Sequence, residues 1–475
     1  MVILLLLIAA VACNRQGKAP DYRALIDRGE FSRAAEQIKA RLNNETNLPA
    51  SEREQLMYEL ARMDRIRKDF TATRDEVVAF IKKYIPDVSE RDIRRWEQER
   101  SLEFMVIDGQ KRYFNHAARN LFRINKECRK IWAAAHPETG EEKKFDLDKH
   151  NREVIAAADA QGTPFVKPVR FHIQYTVTVK PDQVPDGKTV RCWIPFPREI
   201  PQRQTDVTLI GSDPERHALA PANLLQRTVY LEKEARAGQP TVFSVEYEFT
   251  AHGFYRAIDP QKVVPVDPNG PLKPFLQERP PHIVFTPQLR ELSRRIVGSE
   301  TNPYRIAQKL FAWIDQNIPW ASAREYSTIR NIPMYAYLNR HGDCGIQTLL
   351  FITLCRLNGI PARWQSGWEF QPPSDSMHDW GMIYFEPYGW VPMDVTYGLR
   401  KTKEQDPFRW FYLHGMDSYR LIFNDDFSVP FDPPKKHLRS ETVDSQRGEV
   451  EWVGGNLYFD QWDWNMDWRI VSLGS

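Results

Sequence analysis

The sequence lacks a strong charge of either sign. Its 65 lysines and arginines nearly balance 63 aspartates and glutamates, which leaves a formal net charge of +2. Because nucleic-acid binding needs a basic surplus or a basic stripe to neutralise phosphates, we expect no nucleic-acid partner. At roughly 100–200 residues per domain, the 475 residues are enough for several domains with sizeable cores.

Long apolar runs are missing as well. Residues 2–12 form an apolar run that ends at Cys13, and such a run is too short to span a bilayer, where about 20 residues are needed. It fits the apolar part of a secretory signal. The ending Ala-Val-Ala-Cys at 10–13 resembles a bacterial lipobox, which implies an exported protein tethered to a membrane by lipid on Cys13. An ordinary cleaved signal with an incidental cysteine is the alternative.

Cysteine is scarce, since only Cys128, Cys192, Cys344 and Cys355 follow Cys13. An exported chain can pair such cysteines in disulfides. Cys344 and Cys355 are predicted to share a helix, where eleven residues at about 1.5 Å each would separate them by roughly 16 Å, beyond disulfide reach. A bridge between Cys128 and Cys192 stays open.

The N-terminal region, residues 20–165, is predicted to be mainly helical, because its apolar residues recur at helical spacing. Within it, Ser89 is expected to cap a helix, and Asp108-Gly109 marks the turn of a short hairpin. This helix and hairpin resemble a winged-helix unit. Because acidic residues interleave with its arginines, packing or protein contact is favoured over DNA binding.

Strand patterns follow the helical region. Apolar and polar residues alternate over 171–179 and again over 243–249, which predicts half-buried strands of an antiparallel β-sandwich. The eight prolines between 260 and 287 exclude regular helices and central strands there, so this stretch is predicted to be an extended connector.

The clearest chemistry begins at Gly342-Asp343-Cys344. Apolar residues at helical spacing continue to Leu357, and Asp343 is a natural N-cap, so Cys344 is predicted to lie in the first turn of a helix. Unpaired N–H groups and the helix dipole stabilise an anion at that end. We therefore expect the pKa of the Cys344 thiol to fall below its free value of about 8.5.

A catalytic thiolate also needs an imidazole to protonate the leaving amine. His378, near the start of a predicted strand, is the candidate. Asp394, which follows a second short strand, is the candidate for orienting the imidazole ring. Two neighbouring antiparallel strands can place these side chains next to each other.

Together these segments resemble the transglutaminase-like superfamily of papain-related cysteine enzymes. The matching pieces are Gly342-Asp343-Cys344 at a helix start, Gly359 to Arg363, His378-Asp379-Trp380, and Gly389 to Asp394. The resemblance implies a papain-like α+β core with Cys344, His378 and Asp394 as a catalytic triad. With the signal in front, the layout is similar to transglutaminase-like lipoproteins of Gram-negative bacteria.

The resemblance also suggests further site residues. Relatives add an upstream side chain to the oxyanion hole, beside the backbone N–H of the nucleophile. Trp320, Tyr326 and Gln347 are the candidates for this donor. Trp368 and Trp380 are the candidates for walls of a substrate cleft, although most tryptophans around these segments are expected to pack in the core.

The predicted fold class is therefore multidomain α+β, with an N-terminal helical region, an antiparallel β-sandwich and a papain-like core. The predicted boundaries are 1–19 for the signal and tether, 20–165 for the helical domain, 166–255 for the sandwich, 256–287 for the connector, 288–430 for the transglutaminase-like core, and 431–475 for a C-terminal β segment that packs on the core or the sandwich.

Three weaker interpretations of the cysteine remain. Cys344 could be a buried structural thiol, or the core could be an inactive relative that only binds peptides. His341, Cys344, His378 and Asp394 could together hold a metal ion, but the usual Cys or His pairs are missing. We expect neither a metal nor a cofactor.

The expected reaction is acyl transfer through a thioester at Cys344, on a peptide or protein substrate. Water as acceptor gives a peptidase or amidase, which the resemblance to bacterial relatives favours. A lysine amine as acceptor gives a crosslinking transglutaminase, although no acidic loop suggests calcium dependence. The rival from another class is a lipid-anchored, non-catalytic peptide-binding or scaffold protein. In each case the predicted location is the bacterial cell envelope.

Overall fold

The computed structural model describes residues 21–45, 47–137 and 145–472. The chain is a multidomain α+β protein with several antiparallel sheets. The signal segment and Cys13 lie outside the described residues. Among the helices that are described, none combines the length and the apolar character that a membrane crossing requires.

The N-terminal region packs its helices around one hydrophobic cluster. Ser89 and Asp92 form a capping box at the start of α5, as predicted, and the two hairpin strands pair around Asp108-Gly109. The elements are α1 (Tyr22–Asp27), α2 (Phe31–Asn44), α3 (Ala50–Asp69), α4 (Arg74–Lys82), α5 (Glu90–Gln98), β1 (Phe104–Ile107), β2 (Gln110–Tyr113), α6 (Ala117–Ile124), α7 (Lys126–Ala135) and α8 (Leu147–Gln161).

The sandwich strands bury alternate residues, as their period-two pattern predicts. They are β3 (Phe165–Val179), β4 (Thr189–Pro195), β5 (Gln204–Asp213), β6 (His217–Leu219), β7 (Thr228–Glu234) and β8 (Thr241–Tyr255). The proline-rich stretch that follows contains only short 3-10 turns, at Pro260–Lys262 and Lys273–Phe275.

The core places helices against a four-stranded antiparallel sheet of order β11-β10-β9-β13. Asn302 caps α10 through its side chain, and the buried helix α12 begins at Cys344. The elements are α9 (Pro287–Val297), α10 (Pro303–Asn317), α11 (Ile332–Asn339), α12 (Cys344–Leu357), β9 (Ala362–Gln371), β10 (Ser374–Phe385), β11 (Gly389–Met393), α13 (Phe411–His414), β12 (Gly415–Met416) and β13 (Arg420–Asn424).

The C-terminal segment completes the sandwich. Its strands are β14 (Glu449–Trp452), β15 (Gly455–Leu457) and β16 (Trp462–Val471). Strand β16 pairs with β3, and β14 pairs with β4, so one sheet has the order β12-β8-β3-β16 with β5 beside β8, and the other has the order β15-β14-β4-β7-β6. On its way to the sandwich the chain runs along the core sheet, where Ser366 Oγ donates to Asp444 at 2.5 Å.

The helical region holds the loop that precedes α11. Tyr58 in α3 donates its hydroxyl to the Ser327 carbonyl oxygen at 3.0 Å. Asn120 in α6 exchanges two hydrogen bonds with the backbone of Ser322, at 2.8 and 3.0 Å. These contacts fix the path of the loop that carries Tyr326 towards the start of α12.

Candidate active site

Cys344 lies at the tip of a buried helix. The Asp343 side chain accepts the backbone N–H of Ile346 at 3.1 Å and caps α12, as the sequence predicts. Because the thirteen residues Cys344–Arg356 are buried, packing fixes the direction of the helix and hence the position of the sulfur. Cys344 is 9% exposed, whereas Cys128, Cys192 and Cys355 are at most 1% exposed.

The sulfur contacts a carboxyl group. The thiol of Cys344 donates to Oδ2 of Asp379 at 3.3 Å. The hydroxyl of Tyr326 lies 3.0 Å from the same oxygen and 2.8 Å from Oδ1 of Asp343. Gly345 allows this approach, because a Cβ there would stand 2.2 Å from the Tyr326 hydroxyl.

This environment raises the pKa of the Cys344 thiol well above its usual value. Burial is the largest cause, and the negative charges of Asp379 and Asp343 add to it. The prediction of a lowered pKa is therefore wrong for this structure. The helix tip does favour an anion, but two carboxyl groups facing a desolvated sulfur outweigh that effect.

The carboxyl groups beside the sulfur are themselves perturbed. Burial, together with the neighbouring Asp444, raises the pKa of Asp379 well above its ordinary range. Burial also raises the pKa of Asp343 to about 6, and it raises the pKa of Asp444. Close carboxyl groups in a buried place cannot all ionise together, so this cluster retains protons that exposed carboxyl groups would release.

His378 and Asp394 lie together on the same sheet. Nε2 of His378 is 2.7 Å from Oδ2 of Asp394, and Arg420 donates to the same oxygen at 2.9 Å. Burial opposes a charged imidazole, but Asp394 and Glu369 outweigh it and raise the pKa of His378. Burial likewise opposes ionisation of Asp394, yet His378 and Arg420 lower the pKa of its carboxyl group.

The structure does not join the thiol to the imidazole. In the described part of the chain, no hydrogen bond links Cys344 to His378, and Nδ1 of His378 takes part in none. Neighbouring residues of a strand point to opposite faces, and the contacts follow that rule. Asp379 meets Cys344 and Tyr326, whereas His378 meets Asp394 and the ring of Trp380.

The three oxyanion candidates have different surroundings. Trp320 is 42% exposed and lies under the guanidinium of Arg123. Gln347 donates to the Ile318 carbonyl oxygen at 2.7 Å, and its own oxygen accepts from Thr396 at 2.8 Å. Only Tyr326 is seen near the sulfur, and its hydroxyl is already engaged with Asp343 and Asp379.

The two tryptophans predicted as cleft walls are buried. Trp368 is 1% exposed and belongs to the sandwich cluster, with its Nε1 donating to the Gln446 carbonyl oxygen at 3.1 Å. Trp380 is fully buried and donates to Gln365 at 2.7 Å. Neither side chain walls an open cleft in this structure, because Trp368 packs against Trp464 of the sandwich and Trp380 lies under the guanidinium of Arg420.

The candidate metal site and the possible disulfide can also be compared with the structure. His341 is 1% exposed, and both of its ring nitrogens lack a hydrogen-bond partner within the part of the chain that the structure describes. Within residues 21–45, 47–137 and 145–472, no three His, Cys, Asp or Glu side chains are grouped so as to hold a metal ion. Cys128, Cys192, Cys344 and Cys355 are all free thiols, so the open Cys128–Cys192 pairing is not formed.

Sequence reasoning missed two site residues. Asp379 follows the predicted histidine within a segment that the sequence singles out, but the pattern assigns its side chain no role. Arg420 lies 26 positions beyond Asp394 and outside the recognised motif, so nothing in the local sequence indicated that it approaches the carboxylate.

Comparison with known families finds a match within the core. Residues 290–395 match the family model described as the transglutaminase-like superfamily. This segment is similar to that superfamily. It runs from α9 through Asp394 and contains Cys344 and His378 as well. The core is thus of a cysteine-type enzyme family.

Solved structures give weaker likenesses. A candidate cysteine protease from Cytophaga hutchinsonii is 18% identical, with 66% of this chain and 93% of that chain covered and a TM-score of 0.42. The periplasmic domain of TgpA from Pseudomonas aeruginosa is 13% identical, with coverages of 55% and 94% and a TM-score of 0.26. Both TM-scores are below 0.5, so these overlays establish no reaction for this chain. No curated protein matches the sequence.

Proposed function

We propose that this protein is a cysteine-dependent amide or peptide hydrolase that works by acyl transfer through Cys344. The observation that supports it best is the buried pair of His378 and Asp394, 2.7 Å apart, within a segment similar to the transglutaminase-like superfamily. A histidine held through Nε2 keeps Nδ1 available to a nucleophile, which is the arrangement that a thiol-imidazole catalyst needs.

The proposed chemistry has two halves. The Cys344 proton passes to Nδ1 of His378, and the sulfur attacks the carbonyl carbon to form a tetrahedral intermediate. The imidazolium then protonates the leaving amine, the C–N bond breaks, and a thioester remains. In the second half His378 takes a proton from water, hydroxide adds to the thioester, and the carboxylic acid leaves while the thiol is restored. The backbone N–H of Cys344 is the proposed oxyanion donor.

The second acceptor decides between two enzyme classes. Water gives hydrolysis, and a lysine amine gives an isopeptide crosslink through the same thioester. We favour hydrolysis on the resemblance to bacterial relatives. Incubation with a glutamine-containing peptide and a fluorescent primary amine separates the two, because only crosslinking incorporates the amine.

A non-catalytic protein is the second candidate function. The observation in its favour is the hydrogen bond from the Cys344 thiol to Asp379. A thiol whose own pKa is raised forms little thiolate and is therefore a poor nucleophile. In that case the helical and sandwich domains would carry a peptide-binding or scaffold role at the envelope.

The proposed location is the cell envelope, with lipid on Cys13. The apolar run that ends at this residue supports it. Radiolabelled palmitate fed to expressing cells should enter the full chain and be lost in Cys13→Ser. Equal labelling of wild type and Cys13→Ser would contradict lipid attachment at Cys13.

The enzymatic proposal is tested with wild type and Cys344→Ala on a panel of peptides and peptidoglycan fragments. Cys128→Ala is the matched control, because Cys128 is also a free, buried thiol but belongs to the helical domain. We expect cleavage by wild type and Cys128→Ala and none by Cys344→Ala. Cleavage that survives in Cys344→Ala would exclude this sulfur as the nucleophile.

A further inference from the structure

The hydrogen bond between Cys344 and Asp379 has no part in the proposed reaction. It occupies the thiol proton that His378 must receive. The sulfur lies 3.3 Å from Oδ2 of Asp379, and Asp379 is 2% exposed. Both side chains are buried, so this contact is part of the folded site.

We propose that Asp379 is a positioning residue that holds Cys344 as a protonated, resting thiol, and that this hydrogen bond must break before the proposed reaction can begin. The inference rests on the proposed function. The step that follows is balanced. The hydrogen bond from the Cys344 thiol to Oδ2 of Asp379 breaks, and the proton moves from sulfur to Nδ1 of His378. The Asp379 carboxyl group keeps the protonation state that it had before.

The contacts behind Asp379 hold it in place. Gln446 donates its side-chain amide to Oδ1 of Asp379 at 2.9 Å and to the His378 carbonyl oxygen at 3.0 Å. Asp444 lies beside Asp379 and accepts from Ser366 at 2.5 Å. Two oxygens of one carboxyl group are thus fixed from opposite sides, one by the C-terminal segment and one by the thiol and Tyr326.

The contacts of Tyr326 indicate that one carboxyl group of this cluster is protonated. Its hydroxyl carries one proton but faces two carboxyl oxygens, of Asp343 and Asp379. Both contacts are satisfied only when one carboxyl group supplies a proton of its own. The same requirement follows from the close approach of Asp379 and Asp444, so the resting cluster holds at least one carboxylic acid next to the sulfur.

The charged groups around the cluster come from every neighbouring element. Asp343 precedes α12, and Asp444 and Glu441 lie on the C-terminal segment. Arg447 reaches the loop of Tyr326, where its Nη2 is 2.6 Å from the Glu325 carboxylate. Arg439 acts on Asp444 as well. The acids Asp343, Asp379, Asp444 and Glu441 still outnumber these two arginines, so a side chain at position 379 that cannot ionise should make a thiolate easier to form.

The first test measures how fast iodoacetamide alkylates Cys344 as a function of pH, with peptide mapping to assign the site. Asp379→Asn keeps the shape of the side chain and leaves it unable to take a negative charge. We expect its alkylation midpoint to move about one pH unit lower and its rate at pH 7 to rise about tenfold. Asp375→Asn on the same strand is the matched control, because Asp375 is exposed and pairs with Trp468; it should behave as wild type.

A second variant keeps the test decisive if Asp379→Asn does not fold. Tyr326→Phe removes a donor that favours the ionised form of Asp379, so alkylation should shift in the same direction by a smaller amount. Tyr384→Phe is its control, because the hydroxyl of Tyr384 donates to Glu386 at 2.9 Å, away from the sulfur. Midpoints that stay unchanged or rise in the Asp379 and Tyr326 variants would overturn the proposal.

Peptide hydrolysis separates this inference from the proposed function. If Asp379 only holds the resting thiol, Asp379→Asn should keep or increase kcat/KM at pH 7. If Asp379 instead accepts the thiol proton during turnover, kcat/KM should fall, and the inference is wrong. Absence of hydrolysis in wild type would remove the proposed function, while the alkylation profiles would still decide the role of Asp379.

Discussion

Oδ2 of Asp394 is shared by two nitrogen partners, Nε2 of His378 at 2.7 Å and Nη1 of Arg420 at 2.9 Å. Arg420 also contacts Asp417 at 2.9 Å, and all four side chains are buried. The imidazole is therefore oriented by a carboxylate whose own position is fixed by an arginine.

Asp394→Asn should inactivate the proposed enzyme without unfolding it. An amide in place of the carboxylate no longer favours the charged imidazole, so the pKa of His378 should fall. We expect kcat/KM to drop by about 10²–10⁴-fold. Peptide hydrolysis gives the rate, and NMR titration of the ring gives the pKa. Asp463→Asn, whose side chain is 69% exposed, is the control; an active Asp394→Asn would exclude Asp394 from the mechanism.

Arg420→Met should reduce the free energy of unfolding strongly. The substitution leaves Asp394 and Asp417 buried without their common cation, which costs about 3–5 kcal/mol. Urea denaturation followed by tryptophan fluorescence measures the change. Arg236→Met removes an exposed arginine paired with Glu234 and should change stability by less than about 1 kcal/mol. Similar losses in both variants would show that the buried network is not special.

Much of the fold follows from local sequence patterns. Asp343 and Ser89 cap the helices that the sequence predicts them to cap, because a cap depends on residues within one turn. The strand that carries His378 and the short strand before Asp394 are likewise predicted, and they pair as neighbouring antiparallel strands. These features need no knowledge of distant parts of the chain.

The surroundings of the sulfur could not be predicted in the same way. Asp444 and Gln446 reach Asp379 from about 65 residues away, and Tyr326 reaches it from a loop held by the helical domain. The expected low pKa of Cys344 considered only the helix dipole, which is a local effect. The carboxyl groups that reverse it are brought in by tertiary contacts, to which sequence spacing gives no clue.

Gly345→Ala should disturb the nucleophile more than its size suggests. The added Cβ would lie 2.2 Å from the Tyr326 hydroxyl and 2.6 Å from Oδ2 of Asp379, so both must shift. Overpacking of this kind costs about 1–3 kcal/mol. Thermal unfolding and Cys344 alkylation measure the effect. Gly211→Ala, where a Cβ would meet nothing within 4 Å, is the control, and equal behaviour of the two variants would contradict the contact.

Stability should depend on pH through Asp69, which joins α3 to the Tyr326 loop by accepting from Glu325 N–H and the Thr328 hydroxyl at 3.1 and 3.2 Å. Burial, with Glu325 adding to it, raises its pKa from 3.8 to about 7. The folded state therefore binds this proton more tightly than the unfolded chain does. The resulting stability is complete below pH about 4 and is lost as the pH rises through 7, on the order of 2–4 kcal/mol.

Asp69→Asn should flatten that part of the pH profile, because the amide does not titrate. Urea unfolding at pH 5, 6, 7 and 8 compares it with wild type and with Asp64→Asn, an exposed position on the same helix. A free energy of unfolding that rises between pH 5 and pH 8 in wild type, and not in Asp69→Asn, would contradict a raised pKa of Asp69.

The central claim is that Cys344 carries the acyl group. The most direct measurement mixes the protein with an activated peptide ester, quenches in acid within seconds, and maps the modified residue by mass spectrometry. The account predicts one acyl group on Cys344, released by hydroxylamine as expected for a thioester and absent in Cys344→Ala. Acylation that survives in Cys344→Ala, or none at all with esters that the protein hydrolyses, would contradict it.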